Sequence, residues 1–181
     1  MRRTLLLAGF AALALGLVMV VQPPPRRTGR ELARGPRVLR VVPARVRRID
    51  VVAGNRRVVA DRIAAGWQLG ASPAPSAIGE ALDALVDELT ELRAVDAFRP
   101  GALAAYGLDP PSATIAVTST HGTTRLALGS LNTAGSTLYA RQDEHGRVLQ
   151  VGVYLLDVLR RVLDATDVPG AAVRAYWPEI G

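Results

Sequence analysis

An uninterrupted apolar run near the N-terminus constrains the fold of this chain more than any other feature. Thr4 to Val21 is an eighteen-residue stretch without a charged side chain. As an α-helix it would be about 27 Å long, close to the roughly 30 Å hydrocarbon thickness of a bilayer. The run therefore predicts a single transmembrane helix within residues 1–22, ahead of whatever domain follows.

A cleavable signal peptide is the alternative interpretation of the same run. Arg2 and Arg3 provide a suitable basic segment before it. Cleavage needs small residues just after the run, whereas Met19 to Gln22 lead directly into three prolines. We therefore expect an uncleaved signal-anchor in the inner membrane, with a single pass and an extracytoplasmic, periplasmic domain. By the positive-inside rule, the arginines after the span favour a cytoplasmic domain. The side of the membrane that the domain occupies therefore stays open.

The positive charge of the chain is confined to the region beside the apolar run. Residues 1–48 contain eleven Arg and one acid, whereas residues 49–181 contain eleven Arg and fifteen acids. We expect four arginines behind the run to contact anionic lipid headgroups: Arg26, Arg27, Arg30 and Arg34. The acidic, aromatic-poor remainder does not favour nucleic acid as a partner.

Composition also predicts the domain organisation. Residues 23–42 are rich in Pro, Gly and Arg without a helical or strand period, which is typical of a linker. We expect the folded domain at residues 43–165 and a C-terminal tail at 166–181. The chain has no cysteine, which excludes disulfides, thiolate metal sites and a cysteine nucleophile.

Hydrophobic periodicity within residues 43–165 predicts an α+β domain. Leucines and Ile78 recur at helical spacing in Ser76–Val95, where Ser76 is the expected N-cap, and a second amphipathic helix is expected at Tyr154–Leu163. Strands are expected at 46–53, 56–63, 67–69 and 112–118, and in three further segments ending at 128, 141 and 151. These elements predict an antiparallel sheet meander with both helices on one face.

No residue pattern predicts an enzyme, a metal site or a cofactor. His121 and His145 both precede glycine between expected strands, which favours turn residues over metal ligands. A triad of Ser130, His121 and Asp143 would be an arbitrary choice. An alternative hydrolase hypothesis requires His121, Asp143 and His145 to converge in one cleft.

The segment GSLNTAGST, residues 129–137, is the most site-like loop because it is small and rich in hydroxyl groups. A long hairpin connection is the simpler interpretation. Six residues form the candidate interaction loop: Gly129, Ser130, Asn132, Thr133, Gly135 and Ser136. Trp67 is expected to be a core anchor.

The order of these segments resembles an uncharacterised bacterial family, domain of unknown function 4340. The resemblance covers about residues 43–165, and its most specific parts are Tyr106-Gly107-Leu108-Asp109-Pro110-Pro111 and Leu126-Ala127-Leu128-Gly129. It implies an N-terminal membrane segment and an accessory role at the envelope near ABC-type transporter components. It carries no catalytic residues.

The sequence thus leads to two functional hypotheses. The first is a membrane-anchored, non-enzymatic interaction domain at the cell envelope with a protein partner, for which an ABC-type transporter complex is a candidate. The alternative is an exported soluble domain that binds a ligand or glycan after removal of the signal peptide.

Overall fold

The computed structural model describes residues 35–143 and 146–166. The apolar run, Arg26, Arg27, Arg30, Arg34, His145 and most of the tail lie outside these residues. Within the described part of the chain, no helix is long and apolar enough to cross a membrane.

One antiparallel sheet of nine strands forms the centre of the described structure. The strands are β1 (Val46–Ala53), β2 (Arg56–Ile63), β3 (Gly66–Leu69), β4 (Ser72–Pro73), β5 (Ala94–Phe98), β6 (Ala113–Ser119), β7 (Gly122–Leu131), β8 (Thr137–Gln142) and β9 (Val148–Gly152). Their spatial order is β4-β3-β2-β1-β6-β7-β8-β9-β5. The sheet is a meander except at two places, where β1 pairs with β6 and where β5 joins the far edge beside β9.

Two α-helices, α1 (Ser76–Glu91) and α2 (Tyr154–Ala165), cover one face of this sheet. Their apolar stripes and the inward residues of the central strands form a single buried cluster, including Ile49, Ile115, Leu126, Leu85 and Leu159. The two helices also contact each other. Because side chains alternate along a strand, the same pattern turns every second residue to the opposite face.

Two 3-10 helices complete the described elements: η1 (Pro43–Arg45) and η2 (Leu103–Tyr106). Gly107 ends η2 in a left-handed conformation with φ of 64°. This glycine sends the chain back across the sheet towards β6.

The predicted α+β class, antiparallel sheet and two helices are confirmed, and strands β1 and β2 have the expected bounds. The end of α1 was predicted wrongly: the helix stops at Glu91, and Val95 belongs to β5. Strand β5 pairs with β9, at least fifty residues further along the chain, so no local pattern marks it.

The expected N-cap was also wrong. Ser76 is the first helical residue, and Pro75 holds the N-cap position with an extended ψ of 150°. The carbonyl of Pro75 accepts hydrogen bonds from the amides of Ile78 and Gly79. A proline that is already extended can therefore start the helix without a side-chain cap.

The packed chain begins upstream of the expected boundary at residue 43. Val38 and Leu39 are buried in the core, although they fall in the expected linker. The amide of Val38 donates to the carbonyl of Leu92, and Ala94 exchanges backbone hydrogen bonds with Gly35 and Pro36. Residues 35–39 thus lie along the β5 edge of the sheet.

Candidate functional site: the open face of the sheet

The face of the sheet opposite the helices is called here the open face. It is defined by the outward side chains of β1, β2, β6, β7 and β8: Arg48, Asp50, Val52, Arg57, Val59, Asp61, Thr114, Ala116, Arg125, Ala127 and Arg141. These side chains are partly or largely exposed, and Val52 retains 38% of its accessible area. A face of this kind is available to another molecule.

A small aromatic cluster covers the end of the open face near β9 and β5. Tyr106 lies 5.0 Å from Tyr139 and 5.3 Å from Phe98 between ring centroids, with the rings edge to face. Val148 and Leu108 are buried on this side, outside the main core. The sheet therefore has a large aliphatic core under its helices and a second, smaller one on the opposite face.

Two glycines allow the chain after η2 to lie directly on the sheet. A Cβ at Gly129 would be 2.1 Å from the carbonyl oxygen of Tyr106, and one at Gly107 would be 2.8 Å from the amide nitrogen of Ser130. Both distances are far below van der Waals contact. The two sequence elements that carried the family resemblance thus pack against each other, which their separation in sequence does not reveal.

This contact builds one wall of a cavity on the open face. The cavity has a volume of about 390 Å³, within the range typical of small-molecule sites. Leu108 and Pro111 form the wall and Thr114 and Ala127 the floor. Among the described residues, the charged part of the lining is Arg125, Arg141 and Asp143.

The charged residues of this cavity, called here the arginine pocket, are held by strands β7 and β8. Arg141 lies opposite Ala127 in the sheet register. Asp143 follows β8 with a positive φ of 51°, which Asp and Asn tolerate better than most residues. Its amide donates to the carbonyl of Arg125, and its carboxylate accepts from the amide of Arg125. Asp143 therefore fixes the backbone that carries one of the two arginines.

Elsewhere on the open face the arginines are paired. Arg57 makes two hydrogen bonds to Asp50, the shorter at 2.7 Å, and this bonding raises the pKa of Arg57 above its ordinary value. Arg48 lies 3.2 Å from Asp61. By contrast, neither pocket guanidinium has a side-chain hydrogen bond or ion pair within residues 35–143 and 146–166, and the Nε atom of Arg141 is shielded from solvent without an acceptor.

The candidate interaction loop divides into two parts in the structure. Gly129, Ser130 and Leu131 belong to β7, and the register between β7 and β8 shifts there. Asn132 closes the remaining turn, because its side-chain oxygen accepts hydrogen bonds from the amides of Ser136 and Thr137. Thr133 and Gly135 lie exposed at the tip, where Gly135 has a positive φ of 65°. The role of this loop in interaction stays a prediction.

The residues of the hydrolase hypothesis do not meet in the described structure. His121 lies on the exposed β6–β7 turn, and its ring contacts Arg45. Asp143 instead serves the backbone of Arg125, and His145 lies outside the described residues. In the same part of the chain, no group of three or more His, Asp and Glu residues is placed to hold a metal ion.

Trp67 is buried on the helix-covered side of the sheet, as expected for a core anchor. Its indole N–H donates a 2.9 Å hydrogen bond to Asp83 of α1, which also forms a 2.6 Å ion pair with Arg62. The Arg62 guanidinium lies over the Trp67 ring at 4.8 Å. The sequence predicted that Trp67 is a core anchor, but it did not predict Asp83 and Arg62 as its partners, because a periodic pattern carries no information on side-chain pairing.

The fold and the open face define a small α+β domain with its helices on one side of an antiparallel sheet. The family model described as Domain of unknown function (DUF4340) matches residues 67–167, more than half of the chain. The chain belongs to that family. No curated protein and no solved structure matches it significantly. The matched range contains the aromatic cluster and the described lining residues of the arginine pocket.

Proposed function

We propose that the protein is a membrane-anchored, non-enzymatic accessory domain of the bacterial cell envelope that binds a partner protein through its open face. The observation that carries the proposal is the asymmetry of the sheet. One face is buried by two helices, whereas the other is accessible and has a cavity lined by Arg125 and Arg141, for which residues 35–143 and 146–166 supply no side-chain partner. Exposed faces with concave, mixed apolar and charged linings are typical of binding surfaces.

The membrane part of the proposal is supported by the sequence. The apolar run Thr4–Val21 is close to spanning length, and four arginines follow it before residue 35. We propose that the run stays uncleaved as a single inner-membrane pass with the domain on the extracytoplasmic side. The linker then holds the domain within reach of other envelope proteins, of which ABC-type transporter components are candidates through the family resemblance.

Two measurements test this proposal on the full chain. Reporter fusions at the C-terminus, one active only in the cytoplasm and one only outside it, are expected to assign the domain to the outer side. Chemical cross-linking in native membranes followed by purification is expected to recover one discrete partner. A cytoplasmic C-terminus would overturn the orientation, and recovery of no specific partner would overturn the interaction.

A second candidate function is an exported, soluble ligand-binding domain. The volume of the arginine pocket, about 390 Å³, favours it, since this open depression has room for a small molecule. N-terminal sequencing of the mature protein separates the two functions. A start between residues 22 and 29 supports the soluble domain, whereas an intact N-terminus in the membrane fraction supports the anchor.

A further inference from the structure

We infer that the arginine pocket binds a carboxylate presented by a peptide segment of the partner. The inference rests on the proposed function, because it names the chemistry that the open face would recognise. It is carried by three observations on the described part of the chain: two guanidiniums without a side-chain partner there, the net charge of the described lining residues, and the apolar wall beside them.

The two pocket arginines are close enough to act on one group. Arg141 pairs with Ala127, and the backbone of Arg125 pairs with Asp143, so the arginines are diagonal neighbours on the same face. Diagonal Cα atoms in an antiparallel pair lie roughly 7–8 Å apart, within reach of long side chains. Planar guanidinium groups match the geometry of a carboxylate, to which they can donate two parallel hydrogen bonds.

The surroundings of Arg141 make a counter-ion favourable. Its Nε is shielded from solvent and has no acceptor in the described part of the chain. Because Nε is shielded, a carboxylate is expected to accept from the terminal Nη groups of Arg141 and to balance a positive charge that is incompletely hydrated. Arg48 and Arg57 on the same face already have carboxylate partners and offer no comparable gain.

The charge of the lining favours a monoanion. Among the described lining residues, Arg125 and Arg141 carry two positive charges and Asp143 one negative charge, which gives this set a net charge of +1. A single carboxylate balances this charge, whereas a phosphate with nearly two negative charges would be repelled by Asp143. Apolar contacts from Leu108, Pro111 and Ala127 suit the carbon atoms that accompany a carboxylate in a peptide.

The test uses the full chain in uncharged detergent micelles and saturation-transfer NMR of small probes. The probes are acetyl-Ala-Glu-Ala-amide, the neutral acetyl-Ala-Gln-Ala-amide, acetyl-Ala-Gln-Ala with a free C-terminus, and methyl phosphate. We expect both carboxylate peptides to bind more tightly than the neutral amide and than methyl phosphate. The ratio of the two carboxylate affinities shows whether a side chain or a C-terminus is preferred.

Variants assign the binding to the pocket. Arg125→Gln and Arg141→Gln are each expected to weaken carboxylate binding roughly tenfold, since each removes a charge-assisted hydrogen bond. Arg48→Gln is the matched control on the same face, because its guanidinium is already paired, and it should change affinity less than twofold. Asp143→Asn keeps the acceptor for the Arg125 amide and suits the positive φ, yet it is expected to raise the affinity for methyl phosphate.

Several outcomes would overturn the inference. They are equal binding of the Glu and Gln peptides, preference for methyl phosphate by the unaltered chain, and unchanged carboxylate affinity in both Arg variants. Arg125 is exposed, so its variant remains informative even where Arg141→Gln disturbs the fold. The probes need neither membrane nor partner, so a negative result leaves the topology and cross-linking tests of the proposed function intact.

Discussion

The two faces of the sheet use the same strands for different purposes. On the helix-covered face, Ile49, Ile115 and Leu126 have no accessible surface and meet the apolar stripes of α1 and α2. On the open face, the neighbouring residues Asp50, Ala116 and Arg125 are partly or fully exposed. Because successive side chains of a strand lie on opposite faces, one alternating set of residues stabilises the core and the other set is available for recognition. A residue's face should therefore predict whether its substitution affects unfolding or binding.

The largest expected effect lies in the aliphatic core. Leu159 of α2 is fully buried, and Leu159→Ala should lower the free energy of unfolding by about 2–5 kcal/mol, because it removes buried methyl groups and leaves a cavity. Val52→Ala on the open face is the control and should cost less than about 1 kcal/mol. Urea denaturation of both variants measures the difference. Equal losses would remove the distinction between the faces.

The next effect concerns an arginine under a helix. The side chain of Arg56 is 10% exposed, donates to the carbonyl of Leu163 near the end of α2 and lies 3.8 Å from Asp164. Arg56→Met keeps the apolar stem but removes the donors, so we expect a loss of about 1–3 kcal/mol in the free energy of unfolding. Arg125→Met on the open face should change it by less than about 0.5 kcal/mol. A reversed order in the two urea midpoints would contradict the comparison.

Gly129 tests whether the open face has a core of its own. Gly129→Ala drives a methyl group into the carbonyl of Tyr106, and displacement of η2 from the sheet should cost about 1–3 kcal/mol. Gly101→Ala is the control, since no atom lies within 4 Å of its Cβ position. Near-ultraviolet circular dichroism should also show altered tyrosine packing in Gly129→Ala alone. An unchanged spectrum and stability would argue against this close contact.

The smallest expected effect is the coupling between two tyrosines. A double-mutant cycle with Tyr106→Leu and Tyr139→Leu should give an interaction energy of about 0.5–1.5 kcal/mol, since the rings meet edge to face at 5.0 Å. Thermal or urea unfolding of the four proteins supplies the values. Additive losses within about 0.3 kcal/mol would show that the rings do not interact.

Local patterns predicted most of the fold. Alternation in Val46–Ala53 and the four-three spacing of Ile78, Leu82 and Leu85 are properties of short segments. Strand β1 has the expected bounds, and α1 begins at the expected Ser76 although it ends at Glu91. Strand β5 was missed because Ala94–Phe98 becomes a strand only by pairing with β9. Likewise, Val38 looked like linker because its partner Leu92 is more than fifty residues away.

The site was harder to predict than the fold. The elements around Gly107 and Gly129 were singled out as family-like, but only the structure places them in contact. Arg125 and Arg141 carry no local signal, since an arginine on an alternating strand is usually a solvated side chain. Their distinguishing property is the lack of a counter-ion among the described residues, which depends on the register of β7 and β8 and not on sequence spacing.

Site-specific photo-cross-linking in native membranes tests the central claim most directly. A photoreactive residue is placed at Ala116 on the open face and, in a second variant, at the exposed Asp87 on the outer side of α1. The account predicts one discrete adduct from position 116 and none from position 87. An adduct from position 87 alone, equal adducts from both positions, or no adduct from either would contradict the assignment of recognition to the open face.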